Sequence, residues 1–462
     1  MSFELVIKGG KLFTGAEVVR ADIGINRGKI AALGVDLPAG ERRTVDAHGK
    51  QVLPAAIDAH VHYNLELPTL GIRSKDNYWT GGQAAARGGV TTVLDFSEQR
   101  PGEKLLTGVE RKISEQIEGI SPIDYGIHPT VYDWREELLD EIEGLVEAGF
   151  PTVKMFMIYS EEGWQTSEPE IFESLSRAGD TGATILIHCE NSAMLDHFTR
   201  QVVETEQLED PYSLALSRPN LVEATAVRRA VELCEAANGR LYVVHLSTGE
   251  ALRSIEQARQ KGLDLFVETC PQFLLLDEEL FKGKDGFLYA ACPQLKTSFD
   301  NQQLWEALET DLIDIVATDN CTFDFHQKSL GRDDFRRIPR GLPGTETVFP
   351  LIYTFGHKQR NWSLNRVIQK ISTAPAKIHG FYPEKGSLQP GTDADLIIVD
   401  PQKKTVVTPD FLKTDCDWSP YTGFELYGFP QYTFCRGKML VEKGQIKKNI
   451  KGHGKVLKRR PA

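Results

Sequence analysis

Through the middle of the chain, short continuous apolar runs alternate with longer stretches whose apolar positions recur every three or four residues. The runs are AAIDAHVH (55–62), VTTVLDF (90–96), DYGIHPTV (124–131), TVKMFMIY (152–159), TILIHCEN (184–191), LYVVHLS (241–247), LFVETCP (265–271) and DIVATDN (314–320). Between most of them lie amphipathic stretches such as KLLTGVERKISEQIEG, EELLDEIEGLVEAG, EALRSIEQARQKG and NQQLWEALETDL. Apolar runs without polar alternation predict strands buried on both faces and therefore parallel, with the amphipathic stretches as crossover helices. Eight such units predict an α/β fold of the (β/α)8 TIM-barrel type rather than an open doubly wound sheet.

The flanks have a different texture. ELVIKGGKLF, ADIGINRGKIAALG and RTVDAHGKQVLP read as short strands joined by Gly-rich turns, and KGSLQPGTDADLIIVDP (385–401) returns to the same style. Residues 1–54 and 386–440 are therefore expected to be two halves of one small β-sandwich domain, interrupted by a catalytic barrel over 55–385. Such pairing of the ends is natural because chain termini often lie close together. Residues 441–462 end in KKNIKGHGKVLKRRPA, a basic tail expected to be solvated or to sit at a subunit interface.

Composition narrows the function classes. A chain of 462 residues, 41% hydrophobic and 26% charged, has the balance of an ordinary soluble globular protein. A net charge of −12 argues against nucleic-acid or anionic-membrane partners, which need a basic footprint. No apolar run approaches the ~18 residues of a spanning helix, and the opening MSFELVIKGGKLFTG lacks the basic-then-apolar pattern of a secretory leader. The seven cysteines are scattered without a CxxC pair, as expected of reduced core thiols in a cytoplasmic protein.

The chemistry lies in where the polar residues fall. Catalytic groups of a barrel project from the C-terminal ends of its strands. The first run ends in His60-Val61-His62, whose period of two places both imidazoles on one face. The fourth carries Lys154, the fifth His188, the sixth His245 and the eighth Asp319. Each has a plain alternative when taken alone: a satisfied buried histidine, a turn-capping aspartate, a lysine paired with a carboxylate. Together, four imidazoles and a carboxylate at strand ends call for a common partner, and a metal is the natural one. Lys154 sits in the otherwise apolar VKMFMIY, where a bare ammonium is disfavoured. A neutral amine there can take up carbon dioxide, giving an anionic carbamate able to bridge two divalent metals.

These residues, with the blocks DAHVH, VKMF, IHCEN, VVHLS, ETCPQFLLLD, ATDNCTFDF, GLPGTE, TAPAKIHGFYP and KGSLQPGTDADLIIVDP, resemble the hydantoinase/dihydropyrimidinase branch of the cyclic amidohydrolases over essentially the whole chain. The resemblance implies two divalent metals per chain, usually zinc with manganese or cobalt as substitutes, bridged by N6-carboxylated Lys154. His60, His62 and Asp319 would hold one metal with Lys154; His188 and His245 would hold the other with it. It further implies that Tyr159 donates to the developing oxyanion and that Asp319 moves the proton from a bridging hydroxide to the leaving ring nitrogen. The substrate would be a small cyclic amide or imide, a hydantoin or dihydropyrimidine, opened to an N-carbamoyl amino acid. The assembly would be a homotetramer or homodimer.

The match has departures. Ala55-Ala56 stands where many relatives have two glycines, and Asn320 replaces a frequent histidine. Cys292 occupies a serine position that contacts the ring through its backbone, and Arg340 an asparagine position before the GLPG turn. A cation at 340 could favour an anionic substrate or point to solvent. Residues 64–79 and 91–101 are expected to supply loops over the pocket. Dihydroorotase is disfavoured, because HVHYN lacks an arginine just after the histidine pair. An allantoinase-type ureide hydrolase remains an alternative. A non-catalytic scaffold relative would be expected to have lost ligands that this chain retains.

Overall fold

The computed structural model describes residues 2–14, 17–38, 43–205 and 207–461. Residues 1, 15, 16, 39–42, 206 and 462, which fall in the segments assigned above to the small domain, barrel and tail, lie outside the described residues.

The eight apolar runs all form parallel strands of one (β/α)8 barrel. They are Ala56–Val61, Val90–Ser97, Asp124–Pro129, Thr152–Phe156, Thr184–His188, Leu241–Val243, Leu265–Thr269 and Ile315–Val316. The first three pair in one sheet and the last five in another. Two seams join these sheets into the closed wall. At the seam between the eighth and first strands, Val61 bridges Asn320, and Asp58 Oδ1 accepts from Thr318 N at 3.0 Å. At the seam between the third and fourth strands, Thr130 bridges Lys154 at the C-terminal end.

The other end of that second seam is filled by the C-terminal tail. Val456 bridges Tyr125, and Leu457 N donates to Tyr125 O at 2.8 Å. Arg459 Nη2 then donates to Ile127 O at 2.5 Å on the third strand and to Thr152 Oγ1 at 2.8 Å on the fourth. Gly454 is required here, since a Cβ would fall 1.9 Å from the Ile123 carbonyl oxygen. The tail, expected to be solvated or at a subunit interface, places residues 456–459 as a wedge within its own chain. Its basic residues hid this role, because Arg459 is buried through its hydrogen bonds rather than by being apolar.

Strands from both ends of the chain form a single nine-stranded sheet. The join is antiparallel pairing of Gln51–Pro54 with Leu396–Val399, in the register Leu53 to Ile397. Ile7, Ile23 and Val52 from one end pack with Leu396, Ile398 and Phe434 from the other in one buried cluster. This burial of alternate apolar positions holds the two halves together. The sheet is fastened to the barrel by buried charges. Lys385 Nζ lies 2.8 Å from Asp124 Oδ2 on the third barrel strand and also pairs with Asp395 and Asp393. Arg436 Nε reaches the same Asp124 at 3.0 Å.

Helices such as Glu168–Thr181 and Ser298–Glu309 begin with capping boxes, Ser167 with Glu170 and Thr297 with Asp300. No helix among the described residues is long and apolar enough to cross a membrane. All seven cysteines are free thiols.

Candidate active site

At the C-terminal ends of the barrel strands, His60 Nε2 and His62 Nε2 lie 3.2 Å apart. Asp319 Oδ1 lies 3.2 Å from the first and 3.1 Å from the second. Those separations match the edge of a tetrahedron of ligand atoms about 2.0 Å from a common centre, the ordinary zinc–nitrogen distance. Strand alternation explains why the two imidazoles share a face, and His62 N donating to Asn320 O at 2.8 Å brings the eighth strand's end beside them.

Burial sets the electrical state of the ligands. His60 is 1% exposed, and desolvation pushes its pKa well below the usual imidazole range, so it stays neutral with a free lone pair. Its other nitrogen, Nδ1, lies 2.8 Å from Glu268 Oε1, which fixes Nδ1–H as donor and turns Nε2 toward the site. Glu268 is itself held by Tyr242 Oη at 2.7 Å and by His245 N at 3.0 Å. Sequence reasoning missed Glu268, although a glutamate inside the apolar LFVETCP carries the same signal that singled out Lys154.

Lys154 lies on the fourth strand, 1% exposed, with Nζ 5.1 Å from the centre of the Phe156 ring and 5.5 Å from that of Phe96. Burial brings its pKa down to about 8, so that about a tenth is free amine at pH 7, far more than for an exposed lysine. His245, at the sixth strand's end, is kept neutral by burial, and its Nδ1 is buried without a hydrogen-bond partner. An orphaned imidazole nitrogen in a polar site fits a metal ligand. The His245 ring lies 4.5 Å from that of His188 and 5.4 Å from that of His60.

His188 is oriented differently. Its Nε2 bonds Glu190 Oε2 at 2.7 Å rather than facing the His60, His62 and Asp319 atoms. Glu190 is also gripped by Arg218 Nη1 at 2.7 Å through both oxygens. Against the cost of burial, Arg218 and His188 hold the Glu190 carboxyl well below the usual carboxylate range. Asn191 follows at once and caps the helix Ser192–Glu204 by accepting from Met194 N, which fixes the turn carrying His188 and Glu190. Arg218 comes from the SRPN loop, and nothing in its local sequence marks it as a partner of Glu190.

Tyr159 Oη donates to Cys292 Sγ at 3.1 Å, and Arg218 Nη1 approaches that sulfur at 3.3 Å. Tyr159, His245 and Asp319 all have positive φ, at 70°, 40° and 53°. Left-handed backbone at a tyrosine and a histidine is strained, and its concentration in one site is characteristic of functional centres. Asn320 plays a structural part. Its Oδ1 accepts from Gly344 N at 2.8 Å and Thr345 N at 3.2 Å, anchoring the loop after Arg340.

His60, His62, Lys154, Tyr159, His188, His245, Cys292, Asp319 and Arg340 all line one cavity of about 540 Å3. Leu65, Leu67, Pro68, Thr69 and Leu70 form one wall, within the expected 64–79 segment. The expectation for 91–101 is corrected: Val90–Ser97 is barrel strand, and none of 91–101 lines the cavity. Phe96 instead packs beneath His60 and His62, at ring distances of 4.6 and 4.8 Å. The opposite wall comes from residues around Glu161 to Trp164 and from Asp334 to Gly341.

Comparison with known proteins agrees with this architecture. A model of the amidohydrolase family matches residues 51–440. The chain is 35% identical to a D-hydantoinase of Geobacillus stearothermophilus over 458 residues, covering 98% of this chain and 96% of the relative. It is 36% identical to a D-hydantoinase of Streptomyces coelicolor, covering 98% and 97%. The crystal structure of a dihydropyrimidinase from Brevibacillus agri superposes with a TM-score of 0.95 at 34% identity, covering 99% of this chain and 98% of that one.

Proposed function

The chain belongs to the amidohydrolase family, and from that premise we propose that it hydrolyses the cyclic amide bond of a hydantoin or dihydropyrimidine ring to give an N-carbamoyl amino acid. The single observation that carries this is the convergence of His60 Nε2, His62 Nε2 and Asp319 Oδ1 within 3.2 Å, in a cavity that Lys154, His188 and His245 also line. We assign to these six side chains a pair of divalent metals, zinc with manganese or cobalt as substitutes, which they would hold with Lys154 in its N6-carboxylated form. The free-amine character of buried Lys154 and the unpartnered His245 Nδ1 support that assignment. When bound, the metals lower the pKa of a water molecule and polarise the ring carbonyl.

The side chains supply the remainder. Tyr159 Oη, which donates to Cys292 Sγ, is the hydroxyl available to the carbonyl oxygen as negative charge develops there. Asp319 takes the proton from the attacking water and delivers it to the ring nitrogen as the C–N bond breaks. Glu268 keeps the His60 ring in one orientation throughout. The seven free cysteines are consistent with a cytoplasmic enzyme, and we assign it a homotetrameric or homodimeric assembly, as its sequence resemblance implies.

Metal analysis combined with parallel assays on hydantoin, phenylhydantoin, dihydrouracil, allantoin and dihydroorotate tests this reading. The expected result is about two metal equivalents per chain with opening of a hydantoin or dihydropyrimidine ring. Turnover of allantoin alone would shift the assignment to ureide hydrolysis. A protein that takes up no metal would be no hydrolase of this kind.

A further inference from the structure

Arg340 is a half-buried cation in the cavity that the proposed chemistry leaves unused. It lines the 540 Å3 cavity together with the six metal-ligand side chains, and also an adjoining cleft of about 500 Å3 with Arg200, Arg218 and Arg336. Its neighbour Gly341 donates from N to Ala290 O at 3.0 Å, which holds the Arg340 backbone beside the segment ending in Cys292. Arg340 and Tyr159 line both the cavity and the adjoining cleft, which puts the guanidinium on the side of the cavity where the carbonyl would be polarised. Its Nε is buried without a hydrogen-bond partner.

Of the other arginines on these walls, two are tied to carboxylates, and Arg337 is exposed where Arg340 is half-buried. Arg218 is fixed on Glu190, and Arg336 Nε contacts both oxygens of Asp334, at 2.8 and 3.1 Å. Glu161 and Glu162 share the cavity wall, yet neither forms an ion pair with Arg340, and the influence of Glu161 falls on Arg336. Arg340 therefore presents a guanidinium without a carboxylate among the described residues, in a half-buried position where an ionic hydrogen bond is stronger than in open water. A fork of this kind matches a carboxylate in geometry as well as charge.

We propose that Arg340 is a specificity-determining residue, selecting cyclic ureides whose exocyclic arm ends in a carboxylate. This rests on the ring-opening function proposed above. Hydrolysis is unchanged in its balance: water adds across the ring C–N bond, and the arm carboxylate stays intact through to an N-carbamoyl dicarboxylic acid.

The test uses two rings of nearly the same shape, 5-(2-carboxyethyl)hydantoin and 5-(2-carbamoylethyl)hydantoin, both as racemates, with unsubstituted hydantoin as reference. For the metal-loaded enzyme, kcat/KM should favour the carboxylate over the amide by about tenfold or more, the scale of one hydrogen bond to a charged group. Arg340→Gln should bring that ratio to about one, and Arg340→Lys should restore part of it. Calorimetric titration of metal-free protein with the carboxylate ring should show about tenfold weaker binding in Arg340→Gln, which measures the contact independently of turnover. Equal rates on the two rings, or a preference that survives Arg340→Gln, would overturn the proposal while leaving ring opening intact. Should no ring be opened at all, the functional reading fails, and the titration alone then decides for or against Arg340.

Discussion

The buried ionisable groups at the barrel mouth and those at the join between barrel and small sheet are built on opposite rules. At the barrel mouth, two imidazole nitrogens and a carboxylate oxygen face one another at 3.1–3.2 Å, acceptors turned toward acceptors. Where the barrel meets the small sheet, every charge has its complement. Asp124 receives Lys385 at 2.8 Å, Arg436 at 3.0 Å and Lys455 N at 3.0 Å, and Asp395 accepts from Arg436 N at 2.6 Å. Burial opposes ionisation of Asp124, yet Lys385 and Arg436 outweigh it and keep its carboxyl below the usual range. A satisfied cluster of this kind fixes architecture. One whose lone pairs converge on a common point is made for a cation, and the strained backbone at His245 and Asp319 belongs to the second kind.

Substitution can break this contrast from either side. The largest effect is expected for Lys154→Ala, which should lose metal and activity together, by about three orders of magnitude or more in rate. Short carboxylic acids should restore part of both by standing in for the carbamate. Full activity and metal content in this variant would remove Lys154 from the centre. Lys385→Met takes from Asp124 and Asp395 the ammonium they share, leaving Asp395 with no charged partner among the described residues, and should cost about 3–5 kcal/mol of stability in denaturant unfolding. Its metal content should not change, and a loss of metal there would merge the two clusters' roles.

Tyr159→Phe should lower kcat by about 10²–10³-fold with metal retained. An unchanged kcat would take away its place at the carbonyl. Glu268→Gln keeps the shape of the side chain but weakens its hold on His60, and should reduce metal affinity by about 10–100-fold in a chelator competition. Affinity equal to that of the parent would make Glu268 a packing residue only.

The contrast also explains how much of the molecule its sequence makes legible. The eight barrel strands are legible because each is a continuous apolar run, and the histidines because they stand at the ends of those runs. The eighth strand is shorter than its apolar run suggests: only Ile315–Val316 pairs in regular fashion. Thr318 and Asn320 are drawn instead to Asp58 and to the loop at Gly344. Partnerships are not legible. Glu190 with Arg218, and Asp124 with Lys385, join positions 28 and 261 residues apart. No local period encodes such a meeting. The orientation of His188 toward Glu190 likewise depends on a loop far along the chain.

The wedge formed by Val456 and Arg459 has a consequence for how the molecule comes into being. The residues that seal the seam between the third and fourth strands leave the ribosome after every strand of the barrel has been made. Until they dock, the Tyr125 and Ile127 carbonyls on one side and Thr152 Oγ1 on the other lack the donors that the tail brings. The wall is thus finished by residues made after all eight of its strands, so this seam closes only once the chain has reached Arg459. Removing or masking residues 456–459 would leave the cylinder ajar on the side away from the chemistry.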